Sequence, residues 1–436
     1  MYRRKMQTHK ESAFTPQLAR AEAERCLQCF DAPCTGACPT HIDIPGFISM
    51  IRSGNVRGAA EVVKTSNALA NVCGKVCPEE IYCQSVCNRA REDSPIQIRE
   101  LHFFATRQEA LSGYSPLRDF PHSGNHVAVI GGGPAGLGCA FELTKLGHEA
   151  TLYDAKGLGG VPKNSIPAFR LSEKNLQDDL RFLSNHFKIR RENVTASRLD
   201  DLRKKSDAVF ISVGLGKDRS LGLKGELLKG VYRVLGFLEA AKRGEIRIGN
   251  RVVVVGGGNV SLDAAATAKR LGAGEVTVIY RRSENEMKVW KSELEEARRQ
   301  GVGIRFLTNP AQIIGIGRVA GVQCRRTMLS KRKDESGRPV PVEVKKSDFV
   351  IDADTVVVAI GQVIGSDLAG RFTLNSRGFI KVDKTFRTSL PGIFAGGDAI
   401  SGEGTIVQSV AHGKQAAHAI DEYLERKVPL RRGRAL

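Results

Sequence analysis

The chain has 436 residues, of which 41% are hydrophobic and 26% are charged. This length suffices for roughly three domains with their own cores, and the composition excludes wholesale disorder. No apolar run approaches the length of about 18 residues that spans a bilayer. The basic first ten residues also lack the apolar segment of a secretory signal. We therefore expect a cytoplasmic protein with no membrane partner.

The chain has a net charge of +19, which bears on the kind of molecule that it binds. Basic residues gather at both ends of the chain, including Arg3, Arg4, Arg431 and Arg432. Such a field favours anionic cofactors, an acidic partner protein or nucleic acid. These charges are not interleaved with aromatic residues, and no helix-turn-helix pattern is present, so we expect no nucleic-acid partner.

In chain order, the first predicted elements are a helix and two groups of cysteines. Residues 12–25 have the pattern of a capped helix, and residues 44–70, between the two groups, are also helical in pattern. The groups are Cys26-x2-Cys29-x4-Cys34-x3-Cys38-Pro39 and Cys73-x3-Cys77-Pro78-x4-Cys83-x3-Cys87. The first resembles the bacterial ferredoxin run, in which the cysteine before proline serves the other cluster. Structural zinc prefers separated CxxC pairs, and disulfides are rare in the cytoplasm, so iron–sulfur clusters are favoured over both.

A dinucleotide-binding βαβ unit is predicted next. Residues 127–130 indicate a buried strand, and an apolar helix pattern follows the glycine loop. The loop and the start of that helix contribute Gly131, Gly133, Pro134, Ala135 and Gly136. These glycines permit a tight turn, backbone approach to a pyrophosphate and close helix packing, and the helix N-terminus offers its amides to the phosphates.

The second strand of this unit, residues 150–153, ends on Asp154. A carboxylate at this position accepts from an unphosphorylated ribose, as in FAD. No cysteine pair follows, whereas a disulfide reductase would need one. Cys139 lies in a helix pattern and Cys324 in a strand-like pattern, so both are expected in the core. Disulfide exchange is therefore excluded as the reaction.

A second nucleotide unit is predicted from residue 251 onward. A strand over residues 252–255 leads into a second glycine loop, and a further strand covers residues 276–280. The loop contributes Gly257, Gly258, Asn259 and Val260. After the second strand come Arg281, Arg282 and, nearby, Lys288, which suit the 2′-phosphate of NADPH. The alternative is a solvated basic turn whose arginines pair with Glu284 or Glu286.

The chain is then expected to return to the first nucleotide unit. The second unit ends in a strand-like segment that closes with Ala359, Ile360 and Gly361. A strand then ends on Gly397 and Asp398, where two-dinucleotide flavoproteins place an aspartate near the ribityl-pyrophosphate part of FAD. The helix predicted over residues 405–424 starts at Thr405 and Ile406, and its amides would face the flavin pyrimidine ring.

The segments CLQCFDAPCTGACPTHIDIPGFI, NALANVCGKVCPEEIYCQSVCNRA and PIQIRELHFFAT resemble the N-terminal iron–sulfur domain of the dihydropyrimidine dehydrogenase family. The resemblance extends from about residue 20 to about residue 425, and it is greatest to the separate bacterial NAD(P)H-oxidising subunit of that family. Glutamate synthase small subunits share the architecture, but their second cysteine group is more compact. The loop with Gly160 and Val161 and the segment ending at Arg170 resemble the family's isoalloxazine-flanking segment, although Ser172 stands where the family usually has proline.

The resemblance implies two [4Fe–4S] clusters with crossed ligation. One would be held by Cys26, Cys29, Cys34 and Cys87, and the other by Cys38, Cys77, Cys83 and a fourth ligand that is not cysteine. The family has glutamine at this fourth position, and the matching residue here is His102. Imidazole is a competent iron ligand. The alternative is a core histidine, with Cys73 or water completing the iron; otherwise Cys73 is a bystander.

The predicted fold class is α/β, with two Rossmann-like domains, for FAD and for NADPH (or NADH), preceded by an α-helical domain with two [4Fe–4S] clusters. The predicted segments are 1–120 (iron–sulfur), 121–230 and 366–436 (FAD), and 231–365 (NAD(P)H). With no barrel for a pyrimidine–FMN site, we expect the electron-input subunit of a hetero-oligomer whose separate FMN/iron–sulfur chain reduces uracil or thymine. The enzymatic alternatives are a glutamate synthase small-subunit-like subunit and a ferredoxin–NADP-type reductase subunit. The non-enzymatic alternative is an assembly protein with structural clusters.

Overall fold

The computed structural model describes residues 14–112, 120, 122–365 and 367–427. The basic ends with Arg3, Arg4, Arg431 and Arg432 lie outside these residues. Among the described helices, none has both the length and the apolar character needed to cross a membrane.

The described chain forms helices and strands in the following order. The helices are α1 (Pro16–Glu24), α2 (Pro33–Ala37), α3 (Ile44–Arg52), α4 (Val56–Ser66), α5 (Ala70–Val76), α6 (Ile98–Ser112), α7 (Pro134–Lys145), α8 (Gly160–Asn164), α9 (Glu173–Ser184), α10 (Ala196–Lys205), α11 (Val234–Arg243), α12 (Asn259–Arg270), α13 (Lys291–Arg299), α14 (Asp398–Ser401) and α15 (Ile406–Lys427). The strands are β1 (His126–Ile130), β2 (Glu149–Tyr153), β3 (Lys188–Arg190), β4 (Ala208–Ile211), β5 (Lys217–Asp218), β6 (Val231–Arg233), β7 (Arg251–Val255), β8 (Glu275–Ile279), β9 (Gly303–Arg305), β10 (Thr308–Ile316), β11 (Arg318–Lys333), β12 (Pro339–Asp352), β13 (Thr355–Val358), β14 (Gln362–Val363) and β15 (Ile393–Ala395). Short 3₁₀ turns lie at Glu79–Ile81, Gln84–Val86, Asn88–Arg91, Glu284–Glu286 and Asp367–Arg371.

These elements divide into two compact units. Of the described residues, the larger unit contains 14–163, Arg170–Gly216 and 364–427. The smaller unit contains Asn164–Phe169 and Lys217–Val363. The four predicted segments, with boundaries near residues 120, 230 and 365, divide the chain more finely and stay a prediction.

The N-terminal part of the larger unit is helical. Thr15 caps α1 by accepting a hydrogen bond from the Leu18 amide at 3.2 Å. The predicted helical stretch over residues 44–70 is divided, because α3 ends at Arg52 and Asn55 starts α4 by accepting from the Gly58 amide at 2.9 Å. Amphipathic helices of this length bury one stripe, and the stripes meet around a core that includes Phe47 and Leu101.

The rest of the larger unit is a parallel sheet in the order β15-β4-β1-β2-β3. The inner strands β1 and β4 are almost continuously apolar, because helices cover both faces of such a sheet. The last strand, β15, joins beside β4, so the C-terminal part of the chain completes the fold begun by β1. The predicted return of the chain to the first nucleotide unit is present in the structure.

The smaller unit repeats this architecture. Its parallel sheet has the order β6-β13-β7-β8-β9, and β7 carries the apolar residues that the sequence predicted as a buried strand. A three-stranded antiparallel sheet, β10-β11-β12, is inserted between β9 and β13. The hairpin turn between β11 and β12 therefore belongs to the same unit as the second glycine loop.

A buried carboxylate joins the helical part of the larger unit to its sheet part. Asp179 lies on α9 and is only 1% exposed. Its two oxygens accept hydrogen bonds from the Asn71 amide at 3.0 Å, the Asn71 side chain at 2.9 Å and the Val72 amide at 2.9 Å. These donors lie in the first turn of α5, whose backbone amides have no partner within the helix. The helix that leads into Cys73 and Cys77 is thus fastened to α9.

Replacing Asp179 with Ala would leave these donors buried and without partners. We expect the variant to lose about 2–4 kcal/mol of unfolding free energy, since bonds to a charged acceptor are worth more than neutral ones. Urea denaturation followed by circular dichroism measures the loss. Asp200→Ala is the matched control, because Asp200 pairs with Arg371 at 2.7 Å on the surface, where ion pairs contribute little. Equal losses in the two variants would contradict this role of Asp179.

Candidate functional site

The first glycine loop joins β1 to α7. Gly131 has a φ of +109°, a conformation that strains other residues, and a side chain at Gly136 would collide with the carbonyl of Gly131. Gly133 precedes α7 directly, and a side chain there would meet only the Cα of Gly160, at 3.9 Å. The loop backbone is therefore open beside Gly133, and Gly133 and Pro134 are partly exposed at the start of α7. This is the cradle that a pyrophosphate needs.

Asp154 lies at the end of β2 and faces this loop. One carboxylate oxygen accepts from the Gly132 amide at 2.7 Å, and the other accepts from the Lys156 amide at 2.7 Å. Each carboxylate oxygen can accept a further hydrogen bond. The side chain is therefore held in place by the backbone and retains the capacity to accept from a ribose hydroxyl.

The returning C-terminal segment lies against the same helix start. A side chain at Gly397 would come within 2.8 Å of the Ala135 Cβ, so the two backbones are in close contact. Asp398 follows, and its carboxylate accepts from the Ser409 hydroxyl at 3.1 Å. Burial raises the pKa of Asp398 to about 6, and the Ser409 hydrogen bond opposes that shift. Thr405 caps α15 by accepting from the Gln408 amide at 3.2 Å.

The structure thus brings together the first loop, Gly160, Gly397, Asp398 and Thr405, as the proposed FAD site requires. Val161 is 43% exposed, and Ile406 begins α15 beside Thr405. Arg170 is partly buried in the larger unit. The assignment of these residues to FAD stays a prediction.

The second glycine loop joins β7 to α12 in the smaller unit. A side chain at Gly257 would collide with the Tyr280 ring, whereas nothing lies within 4 Å of one at Gly258. The side chain of Asn259 accepts from the Trp290 amide at 3.1 Å, and Val260 follows it in α12. Gly256 packs against the carbonyl of Ala359, so the segment with Ile360 and Gly361 borders this loop. The backbone at Gly258 forms a bridge with that of Lys288.

The two arginines after β8 have different surroundings. Arg281 reaches solvent, whereas Arg282 is only 3% exposed. The Arg282 guanidinium donates to the Asp334 carboxylate at 2.6 Å and to the Pro339 carbonyl at 2.9 Å. Arg282 is therefore already neutralised, and Arg281 is the member of the pair that is open to an anion.

The alternative partners considered from the sequence are occupied elsewhere. Glu284 pairs with Arg298 at 2.5 Å, and Glu286 completes a capping box with Ser283. Arg282 instead uses Asp334, which stands 52 residues further along the chain, in the turn between β11 and β12. Sequence reasoning missed Asp334, because only the folded hairpin brings it beside β8.

The first set of predicted cluster ligands lines one pocket. Cys26, Cys29, Cys34 and Cys87 all line this pocket, which is partly open to solvent. Its apolar walls include Ile44, Ile48 and Ile96. Cys87, from the second cysteine group, thus joins three cysteines of the first group, as the crossed ligation implied by the resemblance requires. This ligand assignment stays a prediction.

The second set lies deeper in the same helical region. Cys38 and Cys83 are buried, and burial raises the pKa of Cys77, with electrostatic interactions with Cys73 and Cys38 adding to the shift. These side chains are therefore neighbours. Cys73 belongs to the same neighbourhood and is only 2% exposed. A [4Fe–4S] cluster fits a thiol set of this kind, because each cysteine binds a different iron.

The candidate fourth ligand, His102, is a buried residue of α6. Its Nε2 has no hydrogen-bond partner, and its ring meets that of Phe47 edge-on at 6.3 Å. Burial lowers the pKa of His102 to about 4, so the imidazole is neutral. A neutral ring with an unpartnered nitrogen suits an iron ligand. Cys73 stays the alternative.

Two hydrogen bonds join the second cysteine set to the sheet part of the larger unit. The Tyr82 hydroxyl lies 3.0 Å from the Thr405 hydroxyl, and Lys414 donates to the Thr40 carbonyl at 3.3 Å. Tyr82 precedes Cys83, and Thr405 starts α15. Within the described residues, no three His, Cys, Asp or Glu side chains converge closely enough to hold a single metal ion.

The fold and these sites define a reductase with two dinucleotide-binding folds and a cysteine-rich helical region. Residues 125–421 match the family model described as pyridine nucleotide-disulphide oxidoreductase, and residues 3–113 match that of dihydropyrimidine dehydrogenase domain II, 4Fe-4S cluster. The chain belongs to the pyridine nucleotide-disulphide oxidoreductase family and carries this 4Fe-4S domain at its N-terminus. It is a flavin, iron–sulfur and NAD(P)H-dependent oxidoreductase. The predicted fold class and the family resemblance are confirmed.

Several curated relatives share most of the chain. It is 34% identical over 438 residues to the glutamate synthase [NADPH] small chain of Escherichia coli K12, covering 94% of this chain and 93% of that one. It is 35% identical over 419 residues to the NAD-dependent dihydropyrimidine dehydrogenase subunit PreT of the same strain, covering 95% and 96%. It is 36% identical over 428 residues to the NADP(+)-dependent formate dehydrogenase subunit beta of Moorella thermoacetica, covering 90% of this chain but only 60% of that one.

Solved structures agree on the fold. Mycobacterium tuberculosis FprA in complex with NADPH aligns with a TM-score of 0.59 and 18% identity, covering 69% of this chain and 85% of that one. The thioredoxin reductase of T. acidophilum aligns with a TM-score of 0.52 and 22% identity, covering 68% of this chain and 97% of that one. The cysteine pair of a disulfide reductase has no counterpart in Cys139 and Cys324, because each is buried, in α7 and in β11 respectively.

The crossed ligation predicts which cysteine variants behave alike. Protein purified without oxygen should hold about eight irons per chain, and Cys87→Ser and Cys26→Ser should each lose the same cluster. Iron analysis and electron paramagnetic resonance (EPR) of the reduced protein measure this, with Cys324→Ser as the buried-cysteine control. Zinc in place of iron, or loss of different clusters in the two variants, would contradict the assignment.

His102 allows a separate test of the fourth ligand. If its Nε2 binds iron, His102→Ala should shift the potential of one cluster or make it labile, while reduction of the flavin by NAD(P)H stays near normal. Redox titration followed by EPR measures this. Cys73→Ser is the comparison, because the residue whose replacement perturbs that cluster is the fourth ligand. An unchanged spectrum in His102→Ala would mean that His102 is a core histidine and does not bind iron.

Proposed function

We propose that this chain is the electron-input subunit of a dihydropyrimidine dehydrogenase-type complex. It takes hydride from NADPH onto FAD and passes single electrons through two [4Fe–4S] clusters. A separate FMN/iron–sulfur chain would then reduce uracil or thymine to the 5,6-dihydro base.

The observation that carries this proposal is the bond between Tyr82 and Thr405. It joins the loop before Cys83 to the start of α15, the helix expected to face the flavin ring. The other cysteine set opens to solvent beside Leu27 and Phe30, which are 43% and 106% exposed. Exposed apolar side chains of this size are typical of protein-binding surfaces. One cysteine set therefore borders the predicted flavin site, and the other borders a surface where a partner chain can dock.

The residues of this chain act mainly by binding and orientation. Bound FAD would accept hydride from the nicotinamide and release electrons one at a time to iron–sulfur centres. Asp154 orients a ribose, the amides at the start of α7 hold phosphates, and Thr405 fixes the start of α15. The partly buried Asp398 is held by a hydrogen bond from the Ser409 hydroxyl at the end of the segment that returns to the first nucleotide unit.

The second candidate is a glutamate synthase small-subunit-like reductase. This candidate is favoured because the chain is 34% identical to the glutamate synthase [NADPH] small chain, and the alignment covers 93% of that small chain. The two candidates share the electron-input half of the reaction and differ only in the chain that receives the electrons.

The partner is therefore tested directly. The full chain, with flavin and clusters, is mixed without oxygen with an FMN-containing dihydropyrimidine dehydrogenase chain or with a glutamate synthase large chain. NADPH oxidation that depends on uracil and on the first partner supports the proposal. Oxidation that depends on glutamine and 2-oxoglutarate with the second partner replaces it, and a flavin that NADPH does not bleach favours a non-enzymatic assembly protein.

Arg281 predicts a preference for NADPH over NADH. A charge-assisted hydrogen bond to the 2′-phosphate is worth about 1.5–3 kcal/mol, so Arg281→Ala should lower kcat/KM for NADPH about 10- to 100-fold. The value for NADH should change little. Arg298→Ala is the control, because its guanidinium pairs with Glu284 on the surface. Equal losses for both nucleotides would mean that Arg281 contacts adenine or the fold, and NADH would become the expected donor.

A further inference from the structure

A further arginine, Arg338, reaches the end of β8 from a distant part of the chain. Arg338 stands in the turn between β11 and β12, in the same compact unit as the second glycine loop. One of its guanidinium nitrogens lies 3.4 Å from the Tyr280 hydroxyl and 3.4 Å from the Glu286 carbonyl. Tyr280 in turn packs against Gly257 of the loop. The turn therefore reaches the end of β8, where a Rossmann fold holds the adenine ribose.

The turn that carries Arg338 is held together by Asp334. One oxygen of this carboxylate accepts from the Ser336 amide at 2.9 Å and from the Arg338 amide at 3.2 Å. The Gly337 amide donates to the Asp334 carbonyl at 2.9 Å. An aspartate that binds its own turn in this way restricts the backbone around it.

The same aspartate fastens the turn to the end of β8. Its other oxygen accepts from the buried Arg282, whose Nε also donates to the Pro339 carbonyl just after the turn. Because Arg282 is only 3% exposed and holds both sides of the turn base, it fixes the position from which Arg338 projects. Charged hydrogen bonds in such a buried setting are among the stronger ones in proteins.

Arg338 and Arg281 lack a neutralising carboxylate of their own. Arg338 donates to the Ser336 hydroxyl at 2.8 Å, and neither arginine forms an ion pair with an acid in the part of the chain that the structure describes. Desolvation by the adjoining chain, followed by the positive charges of Arg282 and Arg338, lowers the pKa of Arg281. Two guanidinium groups close together repel each other unless an anion lies between them. A dianionic phosphate satisfies both, and guanidinium groups bind its oxygens in pairs.

We propose that Arg338 binds the 2′-phosphate of NADPH together with Arg281, and that Arg282 is a positioning residue that holds the turn through Asp334. This inference rests on the proposed use of NADPH. It assigns specificity for the phosphorylated nucleotide to a hairpin turn outside the dinucleotide-binding motif.

The test compares two fragments of the nucleotide on the full chain with its cofactors. Adenosine 2′,5′-bisphosphate carries the 2′-phosphate, and 5′-AMP lacks it. By calorimetry, Arg338→Ala should weaken binding of the bisphosphate about 10- to 100-fold and change binding of 5′-AMP less than about twofold. Arg338→Lys keeps the charge but not the planar fork, so it should restore only part of the loss. Arg332→Ala, on the same hairpin and exposed, is the matched control and should change neither.

Asp334→Asn tests the positioning role. It should weaken bisphosphate binding in the wild-type background and add little in the Arg338→Ala background, because both changes act through one guanidinium. If the two effects add in full, Arg282 and Asp334 do not act through Arg338. Thermal midpoints of all variants identify any loss of the fold.

The outcomes separate this proposal from the one on which it rests. If the wild type binds both fragments equally, both the preference for NADPH and the role of Arg338 are contradicted. If the wild type prefers the bisphosphate but Arg338→Ala keeps that preference, only the role of Arg338 is overturned, and NADPH use stands. A loss of equal size for both fragments in Arg338→Ala also overturns it, because the residue would then hold the adenosine or the fold.

Discussion

The close contact between α7 and α15 is the constraint on which the larger unit depends. A side chain at Gly413 would collide with the carbonyl of Ala135, and one at Gly138 would come within 2.8 Å of the carbonyl of Val410. The two helices therefore meet backbone to backbone, which only glycine permits. Near this contact Gly397 packs against the Ala135 Cβ, and Gly404, which precedes Thr405, lies beside the Asp398 carboxylate. Segments that are far apart in the sequence thus form one cradle at the carboxyl ends of parallel strands, where such folds bind their ligands.

Hydrogen bonds to α15 and to α9 fix the position of the cysteine-rich region. Tyr82 bonds to Thr405 at the start of α15, and Lys414 of the same helix bonds to the Thr40 carbonyl, two residues after Cys38. On the other side, Asp179 of α9 holds the start of α5, the helix that ends before Cys77. Buried polar groups are costly unless every donor and acceptor is satisfied, so contacts of this kind select one arrangement. The second cysteine set is therefore fixed against the sheet part of the larger unit.

Sequence reasoning succeeded where a motif is local and was limited where contacts are distant. The strand, glycines and acid around Gly131 and Asp154 lie within one βαβ unit, so their spacing alone predicts the structure. The resemblance carried the grouping of Cys87 with Cys26, because no spacing rule links the two cysteine groups. Cys73 is buried, and its role, bystander or substitute for His102 as the fourth ligand, stays a prediction. The roles of Asp179 and Asp334 could not be predicted from the sequence, because each contacts its partners only after distant segments pack together.

The arginine pair after β8 shows that adjacent residues of like charge can have different surroundings. Arg281 is exposed to solvent and Arg282 is buried, so the two guanidinium groups have different partners. Arg282 turns inward, where burying its charge is tolerable only because Asp334 pairs with it. Arg281 turns outward and keeps its charge available. In the proposed NADPH site, Arg281 would therefore be the phosphate ligand and Arg282 the anchor of the turn between β11 and β12. The second candidate phosphate ligand, Arg338, lies on the turn between β11 and β12, which Arg282 holds in place.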